Sequence, residues 1–155
     1  MGLDPGSVVS GWGVVSGSPR RAEIVGYGCL RPPRGASRAV RLAHLSRALR
    51  EVLEAQKPDV VAVETPFTAR FPAAALALAE ARGALLAVLG EGAAQIVEYE
   101  PAFVKAAIVG NGRADKRQVA FIVRHTLSLT VTPPADAADA LALALCHLRQ
   151  ICLDA

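Results

Sequence analysis

The chain has 155 residues, 52% of them hydrophobic and 20% charged, which suits one domain with a sizeable core and excludes a disordered chain. Aromatic residues make up only 5%, so a base-stacking platform is not the main organising idea. The formal charge is +3, but from Arg20 to Arg50 there are eight arginines and one acid, Glu23. That concentration favours a polyanionic partner, with a solvated basic surface as the plain alternative.

"MGLD" reads as a very short first strand before a Pro-Gly turn. "SGWGVVSG" and "AEIVGYGCL" follow as second and third strands, and the glycines of the third suggest close backbone approach or bulging. Two short connections imply an antiparallel meander. From residue 37 to 55 the period becomes helical, with Leu42, Leu45, Leu49, Val52 and Leu53 on one stripe and Arg41 and Arg47 largely outside it. "VVAVE" is an apolar run ending in an acid, the pattern of a central parallel strand buried on both faces. An alanine-rich helix over 72–89, a strand at "QIVEY", a short helix over 101–109 and helices over 115–127 and 135–150 complete the chain. The expected architecture is α/β, a five-stranded mixed sheet in order 3-2-1-4-5 flanked by helices, forming a single domain over 1–155.

Cys29, Cys146 and Cys152 form no CxxC pair, which argues against structural zinc and a disulfide framework and for a reduced compartment. No leader opens the chain and no uncharged run reaches 18 residues, so a cytoplasmic protein without a membrane span is expected. Neither GxxxxGK[ST] nor GxGxxG occurs.

The chemistry is carried by carboxylates. Asp4 stands where the first strand meets its turn, and Glu64 closes "VVAVE". Either alone has a plain reading, as an acceptor of turn amides or as the wet end of a strand. If both strands are parallel neighbours, the two acids emerge at the same end of the sheet. In "PADAADALALALCHL", Asp136 and Asp139 are three apart on one helical face. Asp136 could cap the helix; Asp139, three residues inside, could not share that role. Four converging carboxylates repel, and hard divalent cations, Mg2+ or Mn2+, are the natural relief. Two ions about 4 Å apart would support in-line hydrolysis of a phosphodiester. His44, His125 and His147 lie on separate helices and form no HExxH motif, and no base is placed beside Ser7, Ser10 or Cys29.

"GLDPGSVVSGWGVV", "VAVETPF", "AFVKAAIVGNGRADKRQV" and "PADAADALALALCHL" together resemble the RuvC family of Holliday junction resolvases, in family order and over residues 2 to 150. The resemblance implies a ribonuclease H-like fold and a homodimer acting on four-way junction DNA. It implies paired nicks with 5′-phosphate and 3′-hydroxyl ends, and a branch-migration helicase complex as partner. It places the catalytic acids on Asp4, Glu64, Asp136 and Asp139, active-site lysines on Lys105 and Lys116, and a junction-probing aromatic on Phe67. Arg70 and Arg113 are candidates for backbone contacts, and Arg41 and Arg47 for contacts with duplex arms. Thr65 with Pro66, and Ala106, stand where many relatives have glutamine, which bears on DNA positioning and cleavage preference. The rival readings are another ribonuclease H-fold nuclease (for example one processing RNA), a non-catalytic DNA-binding module, and an ATP-binding domain.

Overall fold

In the computed structural model, residues 1–18, 20–65 and 72–151 are described. Strands β1 (Gly2–Asp4), β2 (Ser10–Ser18) and β3 (Arg21–Leu30) form an antiparallel meander, with a register shift between Val14 and Val15. Helix α1 (Arg38–Gln56) carries the chain to β4 (Val60–Glu64), which lies parallel to β1, with Leu3 opposite Val63. Helix α2 (Pro72–Gly90) leads to β5 (Gln95–Tyr99), parallel to β4. The sheet order is β3-β2-β1-β4-β5, the mixed arrangement expected from the sequence. Helices α3 (Pro101–Val109), α4 (Lys116–Thr126) and α5 (Ala135–Gln150) complete the described elements.

Alternation along β4 sorts the two layers. Val61 and Val63 join Leu45 and Leu49 of α1 and Leu85 and Leu89 of α2 on one face. Ala62 faces the other way, among Val104, Val119, Val123 and Leu141 from α3, α4 and α5. Each fully buried leucine contributes roughly 1.5–3 kcal/mol by leaving water. Leu3, Leu45, Leu49, Leu85 and Leu141 are all inaccessible to solvent.

Helix α5 is buried on nearly every side, from Ala137 to Cys146. Its close seating depends on the sheet beneath it. A methyl group added at Gly2 would lie 1.9 Å from the Ala140 carbonyl oxygen, and one at Gly11 1.9 Å from that of Asp136. Gly13 meets Leu141 in the same way. Of the two expectations for the third strand's glycines, bulging falls on β3, where Val25 beside Gly26 is the extra residue, while close backbone approach belongs chiefly to β1 and β2. In β3, Gly28 instead clears room for the Trp12 ring.

The helix ends obey local chemistry. The Ser37 hydroxyl accepts from the Val40 amide at α1, and Asp115 with Gln118 forms a capping box at α4. Gly110, at φ 84°, closes α3 in a left-handed conformation that few other residues adopt readily.

Among the described residues, α2 alone is long and apolar enough to cross a membrane by length and composition. Its two charges are engaged in intramolecular pairs: Glu80 with Arg38, and Arg82 with Glu98.

Candidate active site

The parallel register of β1 and β4 fixes the first pair of acids. Since Leu3 is opposite Val63, the next residue on each strand, Asp4 and Glu64, ends its strand beside the other. This is the carboxyl end of the parallel strands, where open α/β sheets build their sites. Helix α5 brings its first turns over the same edge through its contact with Gly11. Asp4, Glu64 and Asp139 line one cleft of about 150 Å3 together with Lys105 of α3 and Lys116 of α4. Its apolar wall includes Pro101, Val104, Val119 and Leu143.

Asp136 stands one turn earlier on α5, outside the lining of this cleft, and acts on Asp4 as the weakest of its three acidic neighbours. It does not cap the helix: the N-cap is Pro134, with no side-chain hydrogen bond. The capping alternative for Asp136 therefore drops away.

The electrostatics identify the centre of the cluster. Burial, then repulsion from Asp139, Glu64 and Asp136, push the Asp4 carboxyl up to about 7, against a smaller opposing pull from Lys116. Burial and Asp139 also raise Glu64, opposed by Lys116 and Lys105. Lys116 Nζ donates to Asp139 Oδ2 at 2.6 Å, and this bond raises the lysine's own pKa.

Among the described residues no three His, Cys, Asp or Glu groups stand in ready-made metal-ligating geometry. The donor set nevertheless fits a hard divalent cation by chemistry and charge. It is all carboxylate oxygen, and Asp4 is disfavoured as an anion first by burial and then by repulsion from its acidic neighbours, which a bound cation would offset. Lys116 supplies part of that charge by holding Asp139. Its side chain is 76% exposed, so it can swing away at little cost.

Other sequence candidates fall at varied distances from this centre. Arg41 Nη2 donates to the Ser7 carbonyl at 2.6 Å, tying α1 to the loop that follows Asp4. Arg47 is exposed further along α1, and Arg113 is exposed in the turn before α4. Phe67 and Arg70 lie outside the described residues. His147 bonds the Tyr99 hydroxyl through Nδ1 at 2.7 Å, in keeping with a structural histidine.

One supporting residue is missed by sequence reasoning. Arg82 Nη2 pairs with Glu98 at 2.6 Å while its Nε donates to the Glu64 carbonyl at 3.5 Å. It thus braces the end of β4 from behind. A signal for it exists: it is one of two charges in an otherwise apolar helix.

A five-stranded 3-2-1-4-5 sheet with acids at the ends of its two central parallel strands defines a ribonuclease H-like α/β protein. The model of the crossover junction endodeoxyribonuclease RuvC family matches residues 1–147. The chain belongs to that family. It is 46% identical over 150 residues to the crossover junction endodeoxyribonuclease RuvC of Alkalilimnicola ehrlichii, covering 97% of this chain and 90% of that one. The Halorhodospira halophila protein of the same name is 47% identical over 148 residues, covering 95% and 87%. Among solved structures, T. thermophilus RuvC in complex with Holliday junction substrate superposes with a TM-score of 0.91 at 33% identity, covering 99% of this chain and 94% of that one.

Proposed function

We propose that this chain is a divalent-metal-dependent endodeoxyribonuclease that resolves four-way (Holliday) DNA junctions, cutting two strands to leave 5′-phosphate and 3′-hydroxyl ends. The observation that carries this reading is the Asp4 carboxyl, hemmed in by Asp139 and Glu64 at the carboxyl end of the central strands. It supports the reading within a chain so similar to a resolvase solved with its junction.

Asp4, Glu64, Asp136 and Asp139 would hold Mg2+, or Mn2+, as two ions. When bound, the ions supply neutralising charge and Lewis-acid activation of the attacking water and the leaving 3′-oxygen. The chain's own groups do the rest. Lys116 holds Asp139 until the cleft is filled, then becomes available to a phosphate oxygen. Lys105, across the cleft, adds a second compact cation. Pro101, Val104 and Val119 form an apolar wall that keeps the local dielectric low, so each charge acts more strongly. Phe67 is assigned a wedge between bases at the crossover, and Arg70, Arg113, Arg41 and Arg47 contacts along the DNA backbone.

Two cuts on a nearly two-fold substrate call for two identical clefts, hence a homodimer. A single nuclease domain spanning 1–155, a cytoplasmic location and delivery of the junction by a branch-migration helicase complex belong to the same reading.

The test is strand-resolved cleavage of a mobile four-way junction beside linear duplex and RNA–DNA hybrid, with and without Mg2+. Paired nicks confined to the junction and dependent on the metal are expected. Preferential cutting of the hybrid would instead select another nuclease of this fold.

A further inference from the structure

Helix α4 starts at the cleft with Lys116 and then leaves it. At 100° per residue, its buried side carries Val119 and Val123, while Arg117, Phe121, Arg124 and His125 gather on the opposite face, all exposed. Phe121 is 66% accessible, an unusual exposure for so large an apolar ring, and it lies parallel to the His125 ring at 6.3 Å. The two rings and Arg124 border a shallow depression of about 510 Å3 that continues to Ser128 and Leu129.

The charge on this face is uncompensated. No Asp or Glu occurs between Lys116 and Pro134. Asp115, just before, is committed to the capping box. Elsewhere Arg21, Arg38, Arg50 and Arg82 each pair with a glutamate. Among the described residues neither Arg117 nor Arg124 has such a partner. Arg124 Nε donates to the Leu129 carbonyl at 3.2 Å, which fixes the guanidinium while leaving its terminal nitrogens for another acceptor.

We propose that the outer face of α4 is a second DNA contact, a track for the sugar-phosphate backbone of the duplex arm leaving the cleft. This rests on the junction-cutting reading above and extends it beyond the acids and lysines of the cleft. Arg117 and Arg124 each take a phosphate, and Phe121, between them, lies against the intervening sugar. The spacing suits such a track, since seven residues advance about 10 Å along the helix, about three base-pair rises of one strand. Lys116 makes the track continuous with the cleft. A protein partner would need matching carboxylates, whereas the DNA arm already supplies the anions.

The experiment is fluorescence anisotropy of a labelled four-way junction and a linear duplex against salt, using the full chain, its R117Q/R124Q double variant, R117Q alone and F121A. Melting curves confirm that each is folded. The double variant is expected to bind about tenfold more weakly at 0.1 M salt, with the slope of log affinity against log salt reduced by about 2. R117Q should remove about half of that slope change. F121A should weaken binding a few-fold without altering the slope. Unchanged affinity and slope in the double variant would overturn the track. If the unmodified chain meanwhile nicks junctions, only this proposal fails; if it does not nick them, the junction-cutting reading itself falls.

Discussion

At the scale of single residues, Asp4 is where charge matters most. The proposed hydrolysis needs its anionic oxygens to share a cation, whereas contact with the DNA arms does not. Asp4→Asn is therefore expected to lower Mg2+-dependent nicking roughly a hundredfold or more while leaving junction affinity within about twofold. Parallel gel cleavage and binding assays check this, and normal cleavage by the variant would remove Asp4 as a ligand. The same residue gives the metal-free protein a pH dependence. Its folded value of about 7 exceeds the ordinary 3.8 of an aspartate, so between those limits the folded state holds a proton that the unfolded state has released. Stability then falls as pH rises through that window, with the whole penalty in force above about 7. Burial and repulsion together place that penalty at about 4 kcal/mol. In chelator, Asp4→Asn should thus be more stable than the parent at pH 8, and the gain should shrink toward pH 5. Urea denaturation at the two pH values measures it; an equal effect at both would mean that the carboxyl is not held protonated.

At the scale of elements, the site depends on how closely α5 lies on the sheet. Glycines at 2, 11 and 13 form the seat, and Gly11 lies under the first turn, where Asp136 and Asp139 project. Gly11→Ala pushes its methyl against the Asp136 carbonyl, with backbone on both sides and no flexible side chain to yield. The expected cost is about 1–3 kcal/mol, read as a lower melting temperature, with a further loss of nicking because the acids shift relative to Asp4. A variant that melts early yet cleaves normally when folded would show that α5 tolerates the displacement. This seat also marks the limit of what the sequence reveals. The elements are legible because apolar residues repeat with period two or 3.6, and the meeting of Asp4 with Glu64 follows from parallel strands alone. The glycine seat is not, since it depends on which sheet face each glycine presents to which helix. Arg82 is marked in the sequence only as one of two charges in an apolar helix; its reach to the Glu64 carbonyl from another element is not. The lack of a side-chain cap at Pro134 is equally hidden, because Asp136 has the right residue type at nearly the right place.

At the scale of the whole molecule, the outward side of α2 is the feature that one copy of the chain leaves unused. Leu85, Val88 and Leu89 face the core, but the most apolar stretch of the helix is only 22% buried. Leu76, Ala79, Gly83, Ala87 and Gly90 follow one another at intervals of three or four residues, all exposed. A second copy pressed on this stripe would remove it from water, and the small side chains would let two helices approach closely. It would also provide the second cleft that paired nicking requires. Ala87→Arg places a long cation on the stripe without entering the core, so folding should survive while association does not. Sedimentation is expected to find the parent at twice the mass of the variant at micromolar concentration. In the cleavage assay the variant should leave junctions with a single nick, where the parent converts them to two nicked duplexes. If the variant sediments with the parent and still makes both cuts, the two copies meet on some other face.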